Sequence, residues 1–233
     1  MLFAGLPVSA LADTWDISKG DITVNAGSGG QTVTQGGGAA VEDSAPVITG
    51  SSTENTLTIK AESGQTANVT LSGANIDVSG KGKAAVSTNG EGNVSIELDG
   101  DNELKSGSGN AGLEKNKHES KGTLTIKDDK GKDGSLTAEG GDDGAGIGGG
   151  IGSTGSSITI RGGAVEAVGG SNAAGIGDGA GPWSEPDPDT PPSNPSNPNN
   201  IIICGDAEVT AKAGSQMTDA KAPAIGGKYG EVP

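Results

Sequence analysis

Apolar residues recur along this chain in short pairs, each pair interrupted by one polar residue. One set is Val69/Leu71, Val94/Ile96, Leu124/Ile126, Ile158/Ile160 and Ile201/Ile203. Period-two alternation sends aliphatic side chains to one face of a strand and polar ones to the other. A second set follows each member of the first: Ile76/Val78, Leu104/Ser106, Leu136/Ala138, Val165/Ala167 and Val209/Ala211. Turn residues part the two sets at Gly73, Gly100, Gly134, Gly163 and Gly205. A third element is glycine-rich and carries one large aliphatic among small residues. It reads Gly144-Ala-Gly-Ile-Gly-Gly-Gly150, Ala173-Ala-Gly-Ile-Gly-Asp-Gly179 and Ala222-Pro-Ala-Ile-Gly-Gly-Lys228, with earlier forms around Val86 and Leu113.

The aliphatic centres of the third element are Val86, Leu113, Ile147, Ile176 and Ile225, at separations of 27, 34, 29 and 49 residues. The last interval holds a proline-rich tract of roughly twenty residues, without which it falls back into the series. A period of this size marks a solenoid, in which one repeat cannot bury its apolar face alone and stacking supplies the core. The strands are too short for self-sufficient hairpins, so each pairs with its equivalent in the next repeat. The expected fold is all-β: a right-handed parallel β-helix of about 27–30 residues per coil, with three short strands per coil. A left-handed hexapeptide helix needs strict six-residue periodicity, which the chain lacks.

Composition sharpens this picture. With 44 glycines in 233 residues and 2% aromatics, the chain lacks the large side chains of an ordinary globular core. High glycine content otherwise suggests disorder, but the aliphatic ladder from residue 54 onward argues for a narrow bore filled by Val, Ile, Leu and Ala. The net charge of −15 disfavours nucleic acid and polybasic membrane contacts as partners. One cysteine, Cys204, excludes an intrachain disulfide and falls on the outward side of its strand.

Residues 1–12 are apolar and end in Ala10-Leu-Ala12 ahead of Asp13, which reads as the end of a secretory signal peptide without its basic region. The segment is too short to span a bilayer, and no other span follows. A secreted or cell-surface location is therefore expected. Residues 13–53 are irregular and are assigned to an N-terminal cap, with Trp15 as a plug over the bore. The β-helix is expected over 54–233, its regular stack beginning at Thr56-Leu-Thr-Ile59. Residues 181–200 form a proline-rich loop insertion carrying Trp183. Charge-rich loops are expected over 114–122, which holds the only histidine, His118, and over 127–134.

Candidate chemistry is sparse. One histidine, one cysteine and one arginine leave little for a nucleophile–base scheme or a zinc site. The glycine element is not followed by the Gly-Lys-Ser/Thr of a phosphate loop. Acidic residues gather at the bends: Asp99 and Asp101, then Asp128 and Asp129, then Asp142 and Asp143, the last pair with Ser171/Asn172 one coil later. Stacking brings like positions within about 5 Å, so these oxygens are candidate ligands for Ca²⁺, and a solvated acidic face is the alternative. An outward threonine series, Thr56/Thr58, Thr123/Thr125 and Thr159, is also expected, broken at Ile202.

The segments Val69-Thr-Leu-Ser-Gly-Ala-Asn-Ile-Asp-Val-Ser79 and Val94-Ser-Ile-Glu-Leu-Asp-Gly-Asp-Asn-Glu-Leu104, with the downstream Ala-Gly-Ile-Gly repeats, resemble secreted carbohydrate-binding β-helix proteins of Gram-positive bacteria. That family is similar in fold to calcium-dependent pectate lyases. The resemblance covers about residues 50–230 and implies a right-handed parallel β-helix, an extracellular location, glycan binding and bound Ca²⁺. In a lyase an arginine or lysine abstracts the proton α to a uronate carboxylate, and Arg161 is the one arginine available.

Three functions follow as expectations. The first is a non-catalytic polysaccharide-binding module for a plant or bacterial cell-wall glycan, with calcium contributing and Trp183 as the sugar-stacking platform. The second is a structural or adhesin repeat of a larger surface protein. The third is a calcium-dependent polysaccharide lyase working through Arg161.

Overall fold

The computed structural model describes residues 12–116, 119–131, 133–181, 200–215 and 222–226. Residues 1–11, His118, Trp183 and the bulk of the proline-rich tract lie outside the described residues. The described chain is all-β, and its one helical element is a single 3₁₀ turn at Ile17–Lys19. Nearly all strands pair in parallel, in a solenoid-like arrangement that is nearly closed on itself.

The strands are β1 (Thr14–Asp16), β2 (Ile22–Gly27), β3 (Gly30–Gln35), β4 (Val41–Glu42), β5 (Val47–Ser52), β6 (Leu57–Ala61) and β7 (Thr66–Asp77). There follow β8 (Val86–Gly90), β9 (Asn93–Asp99), β10 (Asp101–Lys105), β11 (Leu113–Glu114), β12 (Leu124–Lys127), β13 (Ser135–Glu139) and β14 (Ile147–Gly148). The last are β15 (Ile158–Ile160), β16 (Ala164–Val168), β17 (Ile176–Gly177), β18 (Ile201–Ile203), β19 (Glu208–Lys212) and β20 (Ile225–Gly226).

Three ladders emerge. The first runs β7-β9-β12-β15-β18, the second β7-β10-β13-β16-β19, and the long strand β7 belongs to both. The third runs β2-β6-β8-β11-β14-β17-β20. It stacks Ile22, Leu57, Val86, Leu113, Ile147, Ile176 and Ile225 in register. From Ile22 to Ile176 these side chains have no exposed surface. Each such burial contributes roughly 1.5–3 kcal/mol, which is why one aliphatic per rung suffices.

Parallel stacking starts earlier than Thr56. β1 pairs with β5 and β2 with β6, so residues 13–53 already supply rungs. The end is covered by β3 and β4, which extend the third ladder in antiparallel fashion and bury Val33. Gln31 on β3 fills in where β5 has not yet begun. Its Oε1 accepts from the Asn68 amide at 2.8 Å, and its Nε2 donates to the Asn68 carbonyl at 2.9 Å, as a neighbouring strand would. Trp15 packs against the core and donates its Nε1 to Asp43 Oδ2 at 2.8 Å.

Register departs from the apolar pattern in two places, each by two residues. Ala67 and Val69 face Val94 and Ile96, where the sequence pattern places Val69 and Leu71. Asn102 and Leu104 face Leu136 and Ala138, where the pattern places Leu104 and Ser106. Asn102 occupies an inward site because its amide is fully used. It accepts from the Ala74 amide at 2.9 Å and donates to the Gly100 and Ser135 carbonyls at 3.1 and 3.0 Å. Ser106, also buried, accepts from the Ala85 amide and donates to the Ala111 carbonyl. Buried polar groups persist when partnered in this way.

Candidate functional site: the outward face of the first ladder

The outward side chains of β7, β9, β12 and β15 form straight rows. One row is Asn68, Ser95, Thr125 and Thr159, and Ile202 ends it. Beside it run Thr66, Asn93, Thr123 and Ser157; Thr66 pairs with Asn93, whose Oδ1 accepts from the Thr123 amide at 2.9 Å. These rows are neutral and rich in hydroxyl and amide groups, with Thr123 and Ser157 lying just ahead of β12 and β15. Neighbouring rungs lie about 4.8 Å apart, the spacing of hydrogen-bonded strands. Thr58 does not belong to this face: it sits on β6, in the third ladder, beside Thr23 and Ser87.

A charged belt borders the neutral rows on the same face. Glu97, Lys127 and Arg161 follow Thr70 along successive rungs. Glu97 is nearly fully buried, and its Oε1 accepts from the amides of Asp129 and Lys130 at 2.7 Å each. Lys127 bridges Glu97 at 3.1 Å and Asp129 at 2.9 Å. Its hydrogen bond to Asp129 leads the causes that raise its pKa above the ordinary lysine value. The Arg161 guanidinium is paired with Asp129. The belt therefore balances its own charge, and Arg161 is held by a carboxylate.

The second ladder carries a similar belt. Lys105 lies between Glu103 at 2.8 Å and Glu139 at 3.7 Å, and its pKa is raised, first by the hydrogen bond to Glu103. Lys212 pairs with Glu166 one rung on. The Asp77 carboxyl is held below its usual range by the hydroxyl and amide of Ser79.

The six acidic residues singled out from the sequence are dispersed. Asp99 accepts from the Ser72 hydroxyl at 2.7 Å and Asp101 from the Ser135 hydroxyl at 2.8 Å. Asp128 accepts from the Gly134 amide at 3.0 Å, and Asp129 faces Lys127 and Arg161. Asp142 accepts from the Ser171 hydroxyl at 3.1 Å. Asp143 has φ of 66° and Asn172, one rung later, φ of 60°. Both residue types tolerate this left-handed turn, so the turn accounts for their recurrence. Among the described residues, no three Asp, Glu, His or Cys side chains gather in a way that would hold a metal ion. As placed, these carboxylates do not converge into a side-chain-built calcium centre.

Two functional groups were hidden from the pattern. The segment around residue 114 reads as a projecting charged loop, yet Glu114 and Lys115 are buried. Lys115 follows Leu113 by two residues and so takes the inward side of the alternation, on the rung after Thr88. Its Nζ donates to the Ser120 carbonyl at 2.8 Å, and Thr88 bonds the Ser120 hydroxyl at 3.2 Å. Burial pushes the Lys115 amine down to about 8. Burial likewise raises the Glu114 carboxyl, opposed by the Ala111 amide that donates to it. The period-two count at Leu113 was the one signal that pointed inward. Cys204 is exposed at the end of β18.

Comparison with known proteins found no matching family model, no matching curated protein and no matching solved structure.

Proposed function

We propose that this chain is a non-catalytic, secreted or cell-surface module, a right-handed parallel β-helix that binds polysaccharide along the outward face of its first ladder. The observation that carries this reading is the pair of neutral rows, Asn68/Ser95/Thr125/Thr159 and Thr66/Asn93/Thr123/Ser157, repeated once per rung. A polymer of sugar units offers hydroxyls at a regular interval comparable to the spacing of rungs, about 4.8 Å. A rigid row of hydroxyls and amides matches such a ligand without reorganising, so little ordering cost opposes binding. The self-balanced belt of Glu97, Lys127, Asp129 and Arg161 supplies charged donors and acceptors at the margin of the same face. The pairing of Arg161 with Asp129 supports a binding role for this face over proton abstraction.

Dispersal of the acidic residues supports binding that does not depend on calcium. A glycan array probed with residues 13–233, with added calcium and with chelator, tests the proposal. The expected result is binding to a neutral cell-wall polysaccharide in both conditions, lost when Thr125→Glu and Thr159→Glu place two carboxylates in the row. No binding on the array, or binding untouched by those substitutions, removes the first ladder as the glycan face. Binding that chelator abolishes assigns the recognition to calcium instead.

A further inference from the structure

The two ends of the described stack are built differently. At the N-terminal end β3 and β4 close the third ladder, and Val33 of β3 is buried. At the other end β18, β19 and β20 each pair on one side only among the described residues. Their inward positions repeat those of the rung below, but they are open. Ile203 is 41% exposed and Ile225 38%, whereas Ile160 and Ile176, on which they stack, are 0% exposed. Ile201, Val209 and Ala211 are partly covered. An unpaired strand edge with an apolar interior is a template for another strand.

At the N-terminal end β1 and β4 pair on one side only as well, but β3 runs antiparallel across the third ladder there, so that end does not repeat a rung and a head-to-tail continuation of the stack is disfavoured. Two copies can still meet through identical edges related by a two-fold axis, the commonest symmetry of homo-oligomers. A two-fold axis makes the facing strands antiparallel. The sequence of β19, Glu208-Val-Thr-Ala-Lys212, is complementary to itself in that arrangement. Centred on Thr210, it sets Glu208 opposite Lys212 of the second copy, and Val209 opposite Ala211. The charged pairs then lie outside and the apolar pairs inside, continuing the inward line of Val165 and Ala167 on the rung below. Each opposite-charge pair across two strands is favourable, and like charges directly opposite are unfavourable.

We infer that two copies of this chain associate tail to tail through the last described rung, β19 pairing antiparallel with β19 about Thr210 and β18 meeting β20 of the second copy. The partner is thus a second copy, and the interface is the continuation of the stack. The inference stands on the solenoid-like stacking and is independent of glycan binding.

Sedimentation equilibrium of the full chain over micromolar to millimolar concentrations tests it. The expected species is a dimer. E208K places like charges opposite each other at both symmetry-related positions and is expected to weaken the dimer about tenfold. The double variant E208K/K212E restores opposite charges across the axis and is expected to recover most of the affinity. Hydrogen exchange on β12 and β13 reports whether each variant keeps its inner rungs. A monomer at every concentration with those rungs protected overturns the inference while leaving the fold intact. So does a dimer insensitive to E208K, or a monomer whose β18–β20 amides are already protected by its own chain.

Discussion

Gly148→Ala is expected to destabilise the chain by about 3–5 kcal/mol, a large part of the stability of a typical domain. Gly148 has φ of 136°, and a Cβ there would lie 2.0 Å from the Gly177 carbonyl oxygen of the next rung. Gly177 repeats the situation, with φ of 134° and a Cβ 2.1 Å from the Gly226 carbonyl oxygen. The obstruction is backbone on both occasions, so no side chain can swing away. The last glycine of Ala-Gly-Ile-Gly therefore recurs because its left-handed backbone aims a Cβ at the carbonyl of the next rung, whereas Ser87 and Glu114 hold the same register position without a positive φ and carry side chains. Gly73→Ala is the control: its φ is 62°, but nothing lies within 4 Å of its Cβ. It pays the left-handed strain alone, about 1 kcal/mol. Urea denaturation of both variants checks the contrast. Equal losses would mean that close approach between rungs is not what selects glycine.

Lys115→Met is expected to stabilise the protein near neutral pH by about 2 kcal/mol. Lys115 is 1% exposed, and burial lowers its pKa from 10.5 to about 8. Holding the charge inside at pH 7 costs about 3 kcal/mol on that shift. The hydrogen bond to the Ser120 carbonyl returns about 1 kcal/mol, and methionine forfeits it. The pH dependence follows from the sign of the shift. Between pH 8 and 10.5 the unfolded chain holds a proton on Lys115 that the folded chain has released, so native stability rises with pH across that window. The raised pKa values of Lys105 and Lys127 keep their own stabilisation in place up to 10.5. The advantage of Lys115→Met should therefore shrink steadily between pH 8 and pH 10.5. A variant less stable than the native chain at pH 7, or an advantage that stays flat with pH, would show that the buried amine carries no such cost.

The third ladder was legible from Val86 onward because each rung there offers one aliphatic among small residues, whereas its first rungs, Ile22 and Leu57, were not assigned to it. Val86, Leu113, Ile147, Ile176 and Ile225 stack as their spacing indicates. The first ladder slipped because Ala67, Val69 and Leu71 offer two apolar registers against Val94 and Ile96, and the second slipped where the rule that inward means apolar fails. Asn102 and Ser106 face inward because backbone groups of their own and neighbouring rungs use all they offer. The partners on neighbouring rungs, Ala74, Ser135 and Ala85, are 21 to 33 residues away in sequence, so no local pattern shows them. Lys115 was misplaced for a related reason: charge suggested solvent, while its position two residues after Leu113 placed it in the bore. The acidic bends were legible as positions but not as arrangements. Asp143 and Asn172 recur because of a left-handed turn, and Asp129 answers to Lys127 and Arg161. The neutral rows of the first ladder were visible in part as Thr123, Thr125 and Thr159. Thr56 and Thr58 entered the same series because the pattern counts strands without saying which ladder each joins.

In-register stacking of successive repeats underlies the polar rows, the glycine selection and the open last rung alike. Dipolar coupling between spin labels tests it directly, with labels attached through Thr125→Cys and Thr159→Cys in a chain whose Cys204 is replaced by serine. These positions are paired on adjacent rungs, β12 and β15. The expected result is strong broadening from labels whose backbones are about 4.8 Å apart. Labels through Ser95→Cys and Thr159→Cys, two rungs apart, should couple distinctly more weakly. Comparable coupling from both pairs, or no broadening from the adjacent one, would contradict the stacked arrangement.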